Sequence, residues 1–215
     1  MRVLVCSVVM TALAAGAAQA QAPVAPRSFV EGVAQGTFGN VASQSFGVEF
    51  GHQLGHDLQL FVEAGQMRNV GSTTAMSGAQ QIAAALGELQ SDPVTFTVKE
   101  PTFFGLAGVR YPIALSHARL QPYLLGGAGF ARVRKDVKFQ FAGVDATNDS
   151  LSQYVSFGSD LSDAETSPML SVGGGVAVPV TQKLLVDVQY RYGRIFSGNA
   201  GINTNRAGAG FGFRF

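Results

Sequence analysis

Residues 205 to 215 read NRAGAGFGFRF, and two kinds of side chain alternate along this run without a break. Because successive side chains of a β-strand point to opposite faces, strict alternation predicts a strand with two different faces. One face of this strand is apolar and carries Ala207, Ala209, Phe211, Phe213 and Phe215. The other face is glycine and arginine and carries Arg206, Gly208, Gly210, Gly212 and Arg214.

The same alternation recurs upstream of this stretch. Between residues 183 and 194, Leu184, Val186 and Val188 lie on one face, and Asp187 and Arg191 lie on the other. Extending this reading to the whole chain predicts eight strands, at 28–38, 43–52, 57–68, 101–112, 118–133, 167–179, 183–194 and 205–215.

The connections between these strands fall into two classes. The connections 53–56, 113–117 and 180–182 are short, whereas the opposite side has 39–42, the long stretches 69–100 and 134–166, and finally 195–204. Short turns at one end and long polar loops at the other are typical of a membrane barrel with external loops. We therefore predict an all-β fold, an eight-stranded antiparallel up-and-down transmembrane β-barrel.

Composition supports this fold class by exclusion. The chain has 215 residues, of which 47% are hydrophobic, only 13% are charged and 27 are glycine. Soluble domains have roughly 25% charged residues, and helical membrane proteins show runs of about 18 or more apolar residues. Beyond the N-terminus neither description fits, and a formal net charge of +1 gives no indication of a nucleic-acid partner.

The N-terminus has the pattern of an export signal. Arg2 is followed by an apolar segment to Ala15 and by the small-residue site Ala18-Gln19-Ala20. We predict a signal peptide over 1–20 that is cleaved after Ala20, a periplasmic leader over 21–27 and a barrel domain over 28–215. The one cysteine, Cys6, leaves with the signal, so a closed sheet instead of a disulfide must hold the exported chain together.

The polar faces of the predicted strands carry most of their charges. A basic side chain facing lipid near the bilayer midplane costs about 2–4 kcal/mol, so these charges are expected to face the lumen. We predict a lumen charge network, with inward glycines making room for its arginines and tyrosines, formed by Glu31, Glu49, Glu63, Arg110, Arg119, Asp187, Arg191, Arg206 and Arg214. Mutual neutralisation is the favoured role and gating is the alternative. A two-sheet sandwich with one wet face is the alternative fold.

These features together resemble a known family over residues 28 to 215. The signal peptide, the eight alternating strands, the stretch GGGVAVPVTQKLLVDVQYRYGR at 173–194 and the terminal GAGFGFRF at 208–215 resemble the outer-membrane β-barrels of the OmpA and opacity-like type. The resemblance implies a location in the cell outer membrane, with outer-membrane lipid around the barrel. It also implies that the barrel-assembly machinery reads Phe211, Phe213 and Phe215 as the assembly signal.

No group of residues predicts catalysis, a metal site or a cofactor. The three histidines, His52, His56 and His117, all lie at the end with the short turns, and no carboxylate cluster accompanies them. Small-barrel enzymes that modify lipid A place histidine and serine towards the outer leaflet, where this chain has no histidine. The glycine clusters at 126–127 and 173–175 are interpreted as close-packed strand positions, not phosphate loops.

The long loops are where a specific function is expected. Within 73–92, Ile82, Leu86 and Leu89 have helical spacing, which predicts a short amphipathic helix. Packing within its loop is the favoured role of this helix, and contact with the outer leaflet is the alternative. Residues 134–142 are predicted to extend the fifth barrel strand beyond the membrane.

The sequence thus favours a non-catalytic, monomeric outer-membrane protein with a structural or interaction role through loops 69–100 and 134–166. A small passive porin-like channel for ions or small solutes is the alternative. The sequence names no extracellular ligand.

Overall fold

The computed structural model of the chain describes residues 27–55, 58–90, 94–114, 120–141, 144–145, 164–198 and 201–215. The predicted signal peptide, the leader up to residue 26 and most of the segment 142–163 lie outside the described residues, as do His56, His117 and Arg119.

The described residues form eleven strands and one helix. In chain order they are β1 (Ser28–Phe38), β2 (Ser43–Gln53), β3 (Gln59–Met67), α1 (Thr73–Gln90), β4 (Val94–Lys99), β5 (Thr102–Pro112), β6 (Gln121–Arg134), β7 (Asp136–Phe141), β8 (Val144–Asp145), β9 (Ala164–Pro179), β10 (Leu184–Ile195) and β11 (Ile202–Arg214). Within this part of the chain, no helix is long and apolar enough to cross a membrane.

Eight of these strands close into an antiparallel barrel in the order β1-β11-β10-β9-β6-β5-β3-β2. Each barrel strand pairs with the next one along the chain, and β1 closes the ring against β11. The predicted eight-stranded up-and-down barrel is therefore confirmed. We call its two ends the short-turn end and the long-loop end, the latter carrying the connections 68–101 and 135–163.

The two faces of the strands are as the alternation predicts. Outward apolar side chains are exposed, for example Val188 at 59% and Phe211 at 54%, whereas the inward Leu185 and Arg191 are buried. A closed ring of strands leaves no unpaired edge, and an outside of this kind suits a hydrocarbon surrounding.

One predicted loop is shorter in the structure. The expected connection 195–204 shrinks to 196–201, because β10 and β11 run on until Ile195 pairs with Ile202. Both isoleucine side chains are buried, at 0% and 3% exposure. Burial of this pair explains why the strands continue past the point where the polar asparagines predict a loop.

Strands β4 and β7 continue the β5–β6 hairpin beyond the barrel. Thr102 pairs with Val133 in β5–β6, and Lys99 pairs with Asp136 in β4–β7, so the register is unchanged across the break. Between them the amide of Arg134 donates to the carbonyl of Pro101 at 3.0 Å. The predicted extension of the fifth barrel strand is thus present, and its partner β4 lies in a stretch expected to be loop.

Helix α1 packs on this extension. Ala79, Ala83 and Leu86 form a buried cluster with Val137 and Phe139, and Ile82 packs against it. The side chain of Leu89 lies outside the described part. The even-numbered residues of β4 and the odd-numbered residues of β7 face the helix. In the barrel strands that these two continue, the even-numbered residues of β5 and the odd-numbered residues of β6 face the lumen. The helix therefore lies on the lumen side of the extension, over the long-loop end; we call α1, β4 and β7 the cap.

Candidate functional site

The barrel lumen is filled in three layers. A layer of buried charges lies in the middle. An apolar cluster lies on the short-turn side of it and consists of Phe29, Phe61, Tyr123, Leu125, Ala177 and Leu185. A second apolar cluster lies on the long-loop side and consists of Met67, Val70, Phe104, Leu106, Ala131, Val133, Met169, Ile195 and Ile202. Filling by side chains is what an eight-stranded barrel can accommodate.

The charged layer places three of its carboxylates on one wall and two of its guanidiniums on another, while Asp187 of β10 and Arg110 of β5 pair with each other. Glu31 lies directly across from Glu49, and Glu49 lies directly across from Glu63, which makes an acidic row over β1, β2 and β3. Arg191 and Arg206 form a directly opposed pair of like charge on β10 and β11. Like charges at opposed positions repel each other, so neither wall is stable by itself.

Neutralisation is therefore achieved across the lumen. Arg191 binds Glu49, and its Nη1 lies 2.8 Å from Oε2 of Glu63. Nη1 of Arg206 lies 2.9 Å from Oε1 of Glu63. Strands β3 and β10 lie diametrically opposite in the ring of eight. The ion pairs thus cross the lumen instead of lining it.

Arg110 ties this network to the short-turn side. Its guanidinium lies 3.3 Å from Oδ2 of Asp187 and 3.5 Å from Oε1 of Glu49. The same group lies 3.4 Å from the centroid of the Tyr123 ring, whose hydroxyl donates to Oδ2 of Asp187 at 2.7 Å. A cation that stacks on an aromatic face and pairs with two carboxylates is well compensated for its burial.

Tyr123 is a member of the network that the charge pattern does not identify. The alternation places it on the polar face of its strand, but only its hydrogen bond to Asp187 and its stacking with Arg110 reveal its part. Gly175 makes space for it, because a Cβ there would meet the Tyr123 hydroxyl. This agrees with the interpretation of the 173–175 glycines as close-packed strand positions.

Three predicted members differ from the others. Glu31 is buried at 1% exposure, but neither of its carboxylate oxygens has a hydrogen-bond partner among the described residues. Arg214 is half-buried at the short-turn end and forms no ion pair within the described part of the chain. Arg119 lies outside the described residues. The buried lumen charges that are described are thus four carboxylates and three guanidiniums.

At the long-loop end, a buried carboxylate fixes the cap to the barrel. Glu100, between β4 and β5, is 0% exposed and accepts hydrogen bonds from the amide and the hydroxyl of Ser72. The Ser72 hydroxyl also accepts from the amide of Ala75 at 3.1 Å, as an N-cap residue does. Glu100 therefore holds the start of α1, where the helix dipole favours a negative charge.

We expect Glu100→Ala to loosen the cap and leave the barrel intact. The loss of these buried hydrogen bonds should lower the opening free energy of α1 by about 2 kcal/mol. Hydrogen exchange of the α1 amides measures this, with the exposed Glu88→Ala as the matched control. Equal exchange in both variants would contradict the role given to Glu100.

A second carboxylate at this end joins β9 to the β10–β11 connection. The hydroxyl of Ser197 donates to Glu165 at 2.7 Å, and that of Ser167 donates at 2.9 Å. These two bonds, in this order of importance, hold the pKa of Glu165 below its usual value. Glu165 thus stays ionised and keeps the connection folded towards the barrel mouth.

His52 and the three C-terminal phenylalanines are the remaining positions singled out in the sequence that the structure describes. His52 shares a 2.8 Å hydrogen bond with the Ser28 hydroxyl at the short-turn end. Within the described residues, no group of three or more His, Cys, Asp or Glu side chains is arranged to hold a metal. Phe211, Phe213 and Phe215 all point outward and are 53–57% exposed. Their role as an assembly signal stays a prediction.

A family model matches nearly the whole chain. Residues 7–215 match the outer membrane protein beta-barrel domain. No curated protein sequence matches the chain.

Solved structures of outer-membrane barrels share the fold. The crystal structure of Neisserial surface protein A (NspA) has a TM-score of 0.56 at 17% identity, covering 87% of this chain and 97% of that one. A major outer membrane protein of Thermus thermophilus has a TM-score of 0.53 at 11% identity, covering 87% and 99%. The Yersinia pestis attachment invasion locus protein Ail has 0.49 at 16%, covering 89% and 100%. At these identities the likeness to NspA and to the Thermus thermophilus protein shows the fold alone.

Proposed function

Since the chain belongs to the outer membrane protein β-barrel domain family, we propose that it is a closed, non-catalytic barrel that presents a folded cap at the cell surface. In this orientation the short turns face the periplasm and the long-loop end is extracellular. The cap then stands above the outer leaflet, and its role is interaction with extracellular partners.

The observation that carries this proposal is the ion-pair layer that crosses the lumen. Arg191 joins Glu49 and Glu63 from the opposite wall, and all three side chains are buried. Apolar clusters lie on both sides of this layer, so an ion entering from either end meets a dry constriction first. A lumen of this kind supports the barrel and does not conduct.

The cap supports an interaction role. Its own buried cluster, its hydrogen-bonded attachment at Glu100 and its continuous register with β5–β6 give it a defined shape. Rigid display of a surface above a membrane suits recognition, because little conformational entropy is then lost on binding. The helix face away from the β4–β7 extension, which includes Met76 and Ser77, is exposed.

The absence of catalysis is part of the same proposal. In the sequence the three histidines belong to the short-turn connections or their borders, which face the periplasm in this orientation, and of the three the structure describes His52. The extracellular half thus lacks the usual general base that activates a serine nucleophile.

A second candidate function, a narrow passive channel, is favoured by one observation. Side-chain atoms of Gln35, Thr37 and Gln189 are buried in the lumen without a hydrogen-bond partner among the described residues. Water would satisfy these groups, because buried polar groups are rarely left unpaired. A file of such waters along β1 and β10 would be a path for small ions.

Planar-bilayer conductance decides between the two functions. We expect the wild-type protein to show no steady channels, because the charged layer and both apolar layers block the lumen. The double variant Met67→Ala/Arg191→Ala removes one fully buried side chain from each of two layers and is expected to conduct. Conduction by this variant shows that the protein inserts, so that silence of the wild type is informative. Steady channels formed by the wild-type protein would contradict the closed barrel and support the passive channel.

A further inference from the structure

The outward face of the β4–β7 extension and the adjoining ends of β5 and β6 are strongly basic. Four exposed cations share this face: Lys99, Arg132, Arg134 and Lys138. We call them the hairpin cation patch. They lie on the side away from α1, as the alternation of side chains along the strands shows. Lys99 is odd-numbered like the outward Phe103, and the other three cations are even-numbered like the outward Phe130.

The height of this patch follows from the strand. The outward apolar run along β6 goes from Leu120, which is 50% exposed, to Phe130, which is 63% exposed. Ten residue steps at about 3.3 Å, tilted by about 40°, give a height of about 25 Å, which is the apolar band of a membrane barrel. Arg132 is the next outward residue and is paired directly with Phe103. The patch thus begins where the hydrocarbon ends.

This surface carries an excess of positive charge. Asp136, opposite Lys99, is the one carboxylate on the outward faces of the barrel and cap strands within the described residues. It belongs to a groove of about 190 Å³ that Thr97, Lys99, Asp136, Lys138 and Gln140 line. Arg68 and Arg194 flank the patch on the outward faces of the β3 and β10 ends. The two arginines of β6 form no ion pair with any described residue.

We propose that the hairpin cation patch binds the phosphate groups of phosphorylated glycolipid in the outer leaflet. Guanidinium groups bind phosphate through two parallel hydrogen bonds, and lysines attract it as point charges. A ligand that reaches Arg132 must lie at the lipid surface, because Phe103 beside it is in the hydrocarbon band. A membrane-resident anion fits this position.

Binding of lipid A to the folded, full-length protein in detergent micelles tests this. The probes are bisphosphorylated lipid A and the same lipid with both phosphates removed, and native mass spectrometry counts the bound lipid. Arg132→Gln/Arg134→Gln should weaken binding of the phosphorylated lipid about tenfold to thirtyfold, because each basic residue near an anionic surface contributes about a factor of five. Removal of the phosphates should weaken binding to the wild type similarly.

A charge-matched control separates this site from a general charge effect. Arg27→Gln/Lys183→Gln removes two exposed cations from the short-turn end and should leave binding unchanged within a factor of two. An equal loss in both double variants, or no loss in either, would overturn the proposal. Millimolar inorganic phosphate should not displace the lipid, and full displacement would indicate a site for free phosphate instead. An unchanged shift between unheated and boiled gel samples verifies that each variant is folded.

Discussion

Glu63→Gln is expected to lower the free energy of unfolding by about 3–5 kcal/mol, because it leaves the buried Arg206 without a charge partner among the described residues and leaves Arg191 with Glu49 alone. Glu63 is paired with Arg206 at 2.9 Å and with Arg191 at 2.8 Å, and both arginines are 0% exposed. The substitution keeps the shape of the side chain and removes only its charge. Urea unfolding of the protein in vesicles measures the change.

Glu31→Gln is the matched control for this loss. The two glutamates belong to the same acidic row and are both 1% exposed, but Glu31 has no hydrogen-bond partner within the described part of the chain. Removing an unpaired carboxylate from a row of like charges should change stability by less than about 1 kcal/mol, or increase it. Equal losses in the two variants would show that the ion pairs across the lumen do not stabilise the barrel.

Val188→Arg should destabilise the barrel in a bilayer by about 2–4 kcal/mol, because it places a cation near the centre of the hydrocarbon. Val188 is 59% exposed on the outward face of β10, midway along the strand, and pairs with Val176 and Ala209. The same unfolding measurement in vesicles reports the effect.

The same substitution at a position outside the hydrocarbon layer is the control. Thr166→Arg introduces the same side chain on the outward face of β9, directly opposite Arg132 and above the apolar band. Its cost should be no more than about 1 kcal/mol, since the penalty falls towards the interface. A similar loss of stability in both variants would contradict the position of the membrane surface inferred from the outward apolar residues of the strands.

The barrel itself could be predicted because one physical rule operates along its whole length. Each barrel strand separates a lipid face from a lumen face, so alternation alone assigns residues such as Phe211 and Arg206 to their sides. Strand ends are less well determined, because Ile195 and Ile202 extend their hairpin by packing inside the lumen. No local pattern records that contact.

The cap and the ion-pair partners of the lumen charges could not be predicted from the alternation. Strand β4 alternates as VTFTVK, but it is six residues long and its apolar face meets a helix instead of lipid. Similarly, the alternation places Glu31, Glu49 and Glu63 in the lumen without showing that they are neighbours. Only the register of β1, β2 and β3 reveals the acidic row, and only ring closure brings Arg191 opposite to it.

The separation of acids and bases onto different walls has a consequence for how the chain assembles. The acidic row belongs to the first three strands to be synthesised, and Arg191 and Arg206 belong to the last two. Strands β1, β2 and β3 contain no lysine or arginine, so before β10 and β11 join the sheet Arg110 of β5 is the one buried lumen cation of the described strands that can pair with this row, through Glu49. We therefore expect full desolvation of the interior to accompany the joining of β1 to β11.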